Sequence, residues 1–306
     1  MKKPSFRPAE SGGPNQVGTG AQILLSLLFL LLSLAAIIPL VFVTIVSLSS
    51  DASIAQQGYS FFPKEWSLDA YRYLLDRFDS VGHAVMISGL VTVLGTVLSL
   101  ILISTMAYVL SRDNFRLRKL FLVIVLIPMF FGGGLAASYV VNTQLFRLKN
   151  TLWALILPGV CSSWYILVMR NYFRQNIPVE VLESAYLDGA STLRVFFQFA
   201  VPLSVPVLMT IGVFEAFGFW NSWYYAILYL GSNHRELYPL QYVLYHLQKN
   251  AQFMAGNENI SGAILRTLPT ESFRMAMVVI TILPILVVYP FFRKFLLRGL
   301  TIGAIR

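Results

Sequence analysis

The stretch AQILLSLLFLLLSLAAIIPLVFVTIVSL, residues 21–48, contains no charged residue. A helix of about 20 apolar residues, rising about 1.5 Å per residue, is long enough to cross the hydrocarbon core of a membrane. The stretch is too long for the apolar segment of a secretion signal, which has about 7–15 residues, and no small-residue cleavage pattern follows it. We therefore predict a membrane-spanning helix here.

The rest of the chain has a similar composition. Of its 306 residues, 57% are hydrophobic and 12% are charged, and the mean hydropathy is +0.68, whereas about 25% of the residues of soluble proteins are charged. We predict one all-α, polytopic membrane domain over 21–297, with an N-terminal tail at 1–20 and a C-terminal tail at 298–306. About six apolar runs are long enough to span a membrane: 21–48, 82–110, 120–142, 151–169, 203–230 and 274–292.

The distribution of Lys and Arg predicts the orientation, because short cytoplasmic segments retain positive charge. With the N-terminus inside, the inner segments carry a net charge of +9 and the outer segments are nearly neutral. Both termini are then cytoplasmic. The basic balance is therefore a matter of topology, and we predict no nucleic-acid partner, since the aromatic residues lie in the spans or at their ends. The sole cysteine, Cys161, is expected to be a small apolar residue in a span, and the three scattered histidines predict no metal or cofactor site.

One polar spacer interrupts the apolar pattern: NIPVEVLESAYLDGASTLRVFFQFAVP, residues 176–202. Pro178 is typical of a helix start, and Gly189 is typical of a helix end. Ser191 or Thr192 can cap a second helix, which we expect to continue into the fifth span as far as a break at Pro202. The apolar residues of the first helix are Val181, Leu182 and Ala185.

This spacer also has the composition of a docking surface. Glu183 and Asp188 offer negative charge to a basic partner. Small residues would let another backbone come close, and these are Ser184, Ala185, Gly189 and Ala190. A solvated loop that merely carries charges is the commoner explanation of a cytoplasmic connection, and the composition alone leaves that alternative open.

The spacing within the loop resembles the signature of permease subunits of binding-protein-dependent ABC importers. That signature reads Glu-Ala-Ala, three residues, Gly, nine residues, then Ile-x-Leu-Pro. "LDGAS" resembles the carbohydrate-uptake branch, in particular the second permease of maltose-type and polysaccharide-derived oligosaccharide transporters, and "FFPKEWSLDAYRYLL", "NTLWALILP", "WNSWYYAILY" and "LYPLQ" extend the likeness. The matching positions are Glu183, Ser184, Ala185, Gly189, Phe199, Val201 and Pro202.

The resemblance implies a type I ABC importer permease fold in the bacterial cytoplasmic membrane. It implies an oligosaccharide as the substrate, and acidic saccharides are among the candidates. It implies four partners or ligands: a second homologous permease, two copies of a cytoplasmic ATPase, an extracytoplasmic solute-binding protein and the saccharide. It assigns ATPase coupling to the loop at 170–202, and ATPase contact to Gly299 and Gly303 in the tail. The implied coupling residues are Glu183, Ser184, Ala185, Asp188, Gly189, Ala190 and Pro202.

We expect no enzymatic activity in the chain itself. No GxxxxGK[ST] phosphate-binding motif occurs, and the triple glycine at 132–134 lacks the following lysine. We interpret that triple glycine as a bend or a close helix contact. ATP hydrolysis would then belong to a separate subunit.

A substrate pathway is predicted along the fifth span. Glu215 is an acid deep in an apolar run, where a carboxylate without a partner costs at least about 2–3 kcal/mol. Sugar sites combine aromatic faces with amides or acids, and helical periodicity places 219, 222 and Trp223 nearest the face of Glu215. An interfacial aromatic belt explains the aromatic residues equally well. The proposed pathway residues are Glu215, Trp220, Asn221, Trp223 and Tyr224.

Two segments on the outer side complete the predictions. "WSLDAYRYLLDRF" predicts an amphipathic helix, capped by Ser67, that lies on the outer membrane surface. Its apolar face would hold Leu68, Tyr71, Leu74, Leu75 and Phe78. The long polar segment 231–271 is the better candidate for receiving a binding protein.

Alternative functions make different demands on the sequence. A permease for a solute other than a sugar would have the same fold. A secondary transporter could use Glu215, although one intramembrane acid is thin support for ion coupling. A membrane-embedded enzyme would need a second intramembrane carboxylate or a nucleophile system, which the sequence does not show.

Overall fold

The computed structural model describes residues 19–76, 78–255 and 271–301. Its regular structure there is helical, apart from one isolated antiparallel bridge between Ser49 and Trp66. The all-α prediction is confirmed. In chain order the α-helices are α1 (Thr19–Ser47), α2 (Asp51–Gln57), α3 (Asp69–Asp76), α4 (Phe78–Ser111), α5 (Arg118–Phe130), α6 (Leu135–Val140), α7 (Trp153–Ile156), α8 (Ser163–Asn176), α9 (Val179–Leu187), α10 (Thr192–Val195), α11 (Val201–Leu203), α12 (Val205–Trp220), α13 (Tyr224–Tyr229), α14 (Leu240–Ala255) and α15 (Glu271–Thr301).

Three unbroken helical segments are long and apolar enough to cross a membrane: Thr19–Ser47, Val81–Ser111 and Glu271–Pro290. Three further candidates are bent pairs. Arg118–Phe130 and Leu135–Leu145 meet at 115°, Trp153–Gly159 and Ser163–Asn176 at 51°, and Thr192–Leu203 and Val205–Trp220 at 80°. If each pair is one span, the described residues contain the six spans that the sequence predicts.

The fifth span differs from its predicted bounds of 203–230. Its helix begins before that range, within the loop, and bends by 80° at Ser204, two residues after the expected break at Pro202. The helix then ends at Trp220, and α13 follows as a separate short helix after Asn221, Ser222 and Trp223. A continuous 3.6-residue periodicity therefore does not extend past Trp220.

The triple glycine forms the bend between α5 and α6. Gly134 has φ +78°, a conformation that glycine adopts without a steric penalty. No heavy atom lies within 4 Å of a Cβ built at Gly132, Gly133 or Gly134, so these glycines do not admit a neighbouring helix. Of the two interpretations given above, the bend is confirmed.

Helix α4 lies at the centre of the fold and packs against α8 and α12. Its Gly95 leaves room for the Phe219 ring of α12, because an added Cβ would lie 2.8 Å from three atoms of that ring. Two turns earlier on α4, the Ser88 hydroxyl accepts a hydrogen bond of 2.8 Å from the Leu240 amide at the start of α14. Helix α4 thus contacts both α12 and α14.

Helix α3 packs on the protein along one face, and its position on the outer membrane surface stays a prediction. Leu74 is 4% exposed and joins a core with Ala70 and Trp220, and the Tyr71 hydroxyl lies 2.8 Å from that of Ser47. Leu68 and Leu75 remain exposed. The helix has a covered face because α4, α12 and α15 supply apolar residues to the same core, which a sequence pattern cannot reveal.

The segment 231–271 is also more ordered than a polar loop. It contains α14, whose Leu240 and Tyr242 are buried in the protein core. Residues 256–270 lie outside the described residues. That this segment receives a binding protein stays a prediction.

Cys161 lies within the fourth candidate span, as predicted, and is exposed on the surface of the chain. It lies in the break between the 3₁₀ turn Leu157–Gly159 and α8. Helix α15 reaches Thr301, so the first residues of the predicted C-terminal tail are helical.

Candidate functional site

Residues 178–202, here called the 178–202 loop, begin with a short helix, α9, whose two ends are well defined. Pro178 is extended (φ −60°, ψ 131°) and precedes α9. Gly189 follows the helix with φ +80°. The Gly189 amide donates to Tyr186 O and the Ala190 amide donates to Ala185 O, both at 3.0 Å. This pair of bonds is a Schellman motif, which satisfies carbonyl groups at a helix end.

The second helix of the loop is capped by Ser191, whose Oγ accepts a 3.4 Å hydrogen bond from the Arg194 amide. A π-helical turn at Phe196–Ala200 follows it and leads into α11. Pro202 lies in α11, where its missing amide hydrogen needs no helical partner. The chain then turns by 80° into α12.

Helix α9 has one buried face and one open face. Leu182 is 1% exposed and Ala185 is also buried, whereas Leu187 is 88% exposed. Val181 is exposed, so its prediction as part of the apolar face is wrong. Leu182 and Ala185 are therefore the buried side chains that anchor this short helix.

The buried face of α9 joins the core that surrounds Tyr108 of α4. The Tyr108 ring lies edge-on to Phe173 of α8 at 5.7 Å and against Phe196 at 5.1 Å, measured between ring centroids. Its hydroxyl lies 3.3 Å from that of Tyr186 on α9. One side chain therefore connects α4, α8, α9 and the π-helical turn. Nothing in the sequence marks Tyr108, since it is one aromatic residue in a long apolar run.

The open face carries the predicted docking residues. Glu183, Ser184, Asp188 and Gly189 are exposed, and Ala190 is half-buried. The Ser184 hydroxyl donates to Val181 O at 3.0 Å, and the Asp188 backbone caps α9. Glu183 also lines a cavity of about 380 Å³ beside the loop, together with Arg112, Asp113 and Arg174.

An ion-pair network holds the segment between α4 and α5 beside this cavity. The Asp113 carboxylate binds Arg118 and lies 3.6 Å from Arg174 of α8. The Arg118 guanidinium holds the pKa of the Asp113 carboxyl below its usual value. Arg170 donates a 3.0 Å hydrogen bond to Leu110 O. Sequence reasoning missed this network, although a lone acid within the basic stretch "RDNFRLRK" was a signal for it.

A second candidate site lies around Glu215 on α12. Glu215 is 7% exposed and lines a cavity of about 270 Å³, here called the Glu215 cavity. The Ser99 hydroxyl of α4 lies beside the carboxyl without a hydrogen bond of ordinary geometry. The other lining residues are Gly159, Tyr165, Phe214, Gly218, Phe219, Ser222 and Tyr225.

Aromatic rings and hydroxyl groups make up most of the Glu215 cavity. The Tyr165 and Phe214 rings are stacked, with centroids 6.5 Å apart and planes inclined at 19°. Tyr165 and Tyr225 bring their phenol groups to the same lining as Glu215. The cavity thus combines apolar faces with hydrogen-bonding groups, as small-molecule sites do.

The other predicted pathway residues do not line this cavity. Trp220 is buried, and its Nε1 donates a 2.9 Å hydrogen bond to Thr281 O of α15. Trp223 stacks on Tyr245 of α14 at 4.7 Å, and the exposed Tyr224 ring lies edge-on to it. Asn221 accepts a 3.0 Å hydrogen bond from Gln241. The prediction that Trp223 shares the face of Glu215 is wrong, because α12 ends at Trp220.

The two glycines predicted to contact the ATPase lie on either side of residue 301, where the described residues end. Gly299 is within α15. Gly303 lies outside the described residues.

Comparison with known proteins places this architecture in a family. Residues 99–302 match the family described as "Binding-protein-dependent transport system inner membrane component". The chain is 36% identical to Protein LplC of Bacillus subtilis over 88% of its length and 89% of that protein. It is 34% identical to the polygalacturonan/rhamnogalacturonan transport system permease protein YtcP of Bacillus subtilis over 90% of its length and 95% of that protein.

More distant relatives include the arabinooligosaccharides transport system permease protein AraQ of Bacillus subtilis, 25% identical over 93% of this chain and 96% of that one. A solved structure is similar in fold: a chain of a bacterial ABC transporter involved in the import of the acidic polysaccharide alginate. The TM-score is 0.78 with 29% identity, over 92% of this chain and 99% of that chain. The predicted resemblance to ABC importer permeases is confirmed, and the protein belongs to the family of inner membrane components of binding-protein-dependent transport systems.

Proposed function

We propose that this chain is one of two permease subunits of an ATP-driven importer that carries a saccharide across the bacterial cytoplasmic membrane. The observation that carries the proposal is the form of α9, with its buried face in the core of the spans and its other face open. Leu187 is 88% exposed, and Glu183 is exposed at the edge of the cavity beside the loop. Val179 and Leu193 of the same loop are exposed as well, and an exposed group of apolar side chains rimmed by polar residues is typical of a protein interface.

Coupling to the ATPase runs through the 178–202 loop. Leu182 and Ala185 pack into the same core as Phe173 of α8 and Phe196 of the π-helical turn. Because packed interiors have low compressibility, a displacement of α9 moves these neighbours with it. The 80° bend at Ser204 connects the same segment to α12, which carries Glu215.

The exposed residues of the loop contact the ATPase directly in this proposal. Glu183 and Asp188 would pair with basic groups of the ATPase, since charge-assisted hydrogen bonds are stronger than neutral ones. The small residues Ser184 and Ala190 allow close approach, Ala185 packs in the core behind them, Gly189 ends the helix, and Pro202 shapes the entry to the span. The tail residues Gly299 and Gly303 would add a second contact with the ATPase pair.

The partners in this proposal would supply an ATPase, a second wall of the cavity and delivery of the substrate. It has no phosphate-binding motif of the GxxxxGK[ST] type, so two copies of an ATPase subunit would supply ATP hydrolysis. The Glu215 cavity is open at Phe214 and Gly218, which are exposed on the chain surface. A second, homologous permease would close that side, and an extracytoplasmic solute-binding protein would deliver the substrate.

A saccharide is the substrate class that the relatives support. Their printed names refer to polygalacturonan and rhamnogalacturonan, arabinooligosaccharides, and the acidic polysaccharide alginate. Each of these names refers to a carbohydrate, but the carbohydrates differ in charge. The route would pass the exposed group of Asn221, Trp223 and Tyr224 at the end of α12 and then the Glu215 cavity, with Ser222 between them.

The orientation in this proposal places both termini in the cytoplasm. The 178–202 loop then faces the ATPase, and α3 and α14 face the outside. This agrees with the excess of Lys and Arg in the inner segments.

Reconstitution tests the proposal as a whole. The complex purified through a tag on this chain should contain an ATPase and a second permease, and in proteoliposomes it should take up a labelled oligosaccharide only with ATP and a binding protein. An ATPase variant without hydrolytic activity is the control. Uptake that follows an ion gradient without ATP would instead identify a secondary transporter.

A further inference from the structure

The described lining of the Glu215 cavity carries negative charge and no positive charge. Glu215 is the charged residue of its lining, and no Lys, Arg or His lines it among residues 19–76, 78–255 and 271–301. The remaining polar groups are the hydroxyls of Tyr165, Ser222 and Tyr225. Each hydroxyl can donate one hydrogen bond and accept others, whereas a carboxylate only accepts.

The size of the cavity limits what it can hold. Its volume of about 270 Å³ lies just below the usual range for small-molecule sites, which is about 300–1,000 Å³. It therefore suits one sugar ring better than a folded oligosaccharide. The stacked pair of Tyr165 and Phe214 offers an apolar surface for the C–H face of such a ring.

A uronic acid unit would meet unfavourable electrostatics here. Its carboxylate would enter a site whose charged group is another carboxylate, in surroundings of low dielectric constant. Proteins bind carboxylates through Arg or Lys, and this lining offers neither. An uncharged ring, in contrast, can donate its hydroxyl hydrogens to Glu215 and accept from the tyrosine and serine hydroxyls.

We propose that Glu215 makes this cavity selective for an uncharged sugar unit and against a uronic acid unit. This inference rests on the proposed function as a saccharide permease. It departs from the acidic saccharides that the sequence resemblance includes. This permease, as well as the binding protein, would then discriminate between charged and uncharged sugars for at least one unit of the transported chain.

The test compares two labelled oligosaccharides of equal length, one neutral and one built from the corresponding uronic acid, in the reconstituted importer. The quantity measured is the ratio of uronate uptake to neutral uptake, divided by the same ratio for wild type. Because the same binding protein serves the wild-type and the variant importer, its own preference enters both ratios and cancels in the quotient. Glu215→Gln, which removes the charge and keeps the shape, should raise the quotient about tenfold, equivalent to about 1.4 kcal/mol, and Glu215→Arg should raise it further.

Glu65→Gln is the matched control, because it removes an exposed carboxylate outside the cavity and should leave the quotient at one. A quotient of one for Glu215→Gln overturns the inference alone. If the wild-type importer takes up neither saccharide with ATP and binding protein present, the proposed function fails instead.

A second measurement needs no binding protein. In a Cys161→Ser background, a cysteine in place of Ser222 is labelled by a water-soluble thiol reagent, and its peptide is quantified by mass spectrometry. The neutral monosaccharide should slow labelling of the complex at concentrations where the uronic acid does not. Equal protection by both sugars, or protection by neither, contradicts the inference.

Discussion

The 178–202 loop and the Glu215 cavity place their carboxylates in opposite surroundings. In the loop, Glu183 is exposed and Leu182 is buried. On α12, Glu215 is buried and its neighbour Phe214 is exposed. The loop therefore resembles the surface of a soluble protein, and α12 has its polar group inside and its apolar group outside, as a helix in lipid does.

The difference has an energetic consequence. An exposed carboxylate keeps its hydration and costs little, but a buried one without a cation costs at least about 2–3 kcal/mol within a membrane. Exposed charges thus need no special explanation, whereas Glu215 calls for a role that offsets its cost. In the loop, the informative groups are instead the buried apolar side chains and the backbone at Gly189.

The largest expected effect on stability comes from removing the buried anchor of the loop. Leu182→Ala deletes a side chain that is 1% exposed in a packed core and should destabilise the protein by about 2–5 kcal/mol. Thermal unfolding of the purified complex measures the change. If the loop were only a solvated connection, the unfolding temperature would hardly move.

Leu187→Ala is the matched control for that experiment. The same atoms are deleted from a side chain that is 88% exposed, so the unfolding temperature should stay close to that of wild type. Its effect should appear as weaker retention of the ATPase during purification. Equal destabilisation by the two variants would contradict the division of α9 into a buried and an open face.

A smaller effect is expected at the wall of the Glu215 cavity. Gly95→Ala places a methyl group 2.8 Å from the Phe219 ring, and overpacking of this kind costs about 1–3 kcal/mol. Gly89→Ala on the same helix has no atom within 4 Å of the new methyl group and should be neutral or slightly stabilising. Unfolding temperatures of the two variants measure the difference.

The response to a second substitution sharpens this prediction. Phe219→Leu removes the ring and should recover part of the stability lost in Gly95→Ala. Additive losses in the double variant would mean that the Phe219 ring does not occupy the space beside Gly95.

Local chemistry explains which parts of the fold were predictable. Pro178, Gly189 and Ser191 act within one or two turns of their own helices, and the sequence alone indicated both ends of the first loop helix and the start of the second. The triple glycine at 132–134 indicated a bend or a close helix contact, and the bend is what the structure has. These signals depend on backbone conformation and capping, which neighbouring residues largely determine.

Tertiary contacts explain what the sequence could not provide. Trp223 was expected beside Glu215 because a continuous helix was assumed, yet α12 ends at Trp220 and Trp223 packs on Tyr245 of α14. Tyr165 and Gly159 reach the Glu215 cavity from another span. The periodicity of one segment contains no information about such partners. On α3, Leu68 and Leu75 were expected on the apolar face with Leu74, yet they are exposed while Leu74 is buried, since the cover comes from distant helices.

The smallest expected effect on stability at the loop, and its most direct test, comes from comparing two glycines with positive φ. Gly189 has φ +80° and Gly58 has φ +73°, and neither has a heavy atom within 4 Å of a built Cβ. Gly189→Leu should cost about 1–2 kcal/mol, and Gly58→Leu should lower the unfolding temperature at least as much, because Gly58 has ψ −165°, a conformation open essentially only to glycine. Only Gly189→Leu should reduce ATP-driven uptake, by about tenfold, because the Schellman bonds at Ala185 and Tyr186 fix the surface offered to the ATPase. If both variants lose uptake equally, strain alone accounts for the loss, and coupling would have to be sought in another segment.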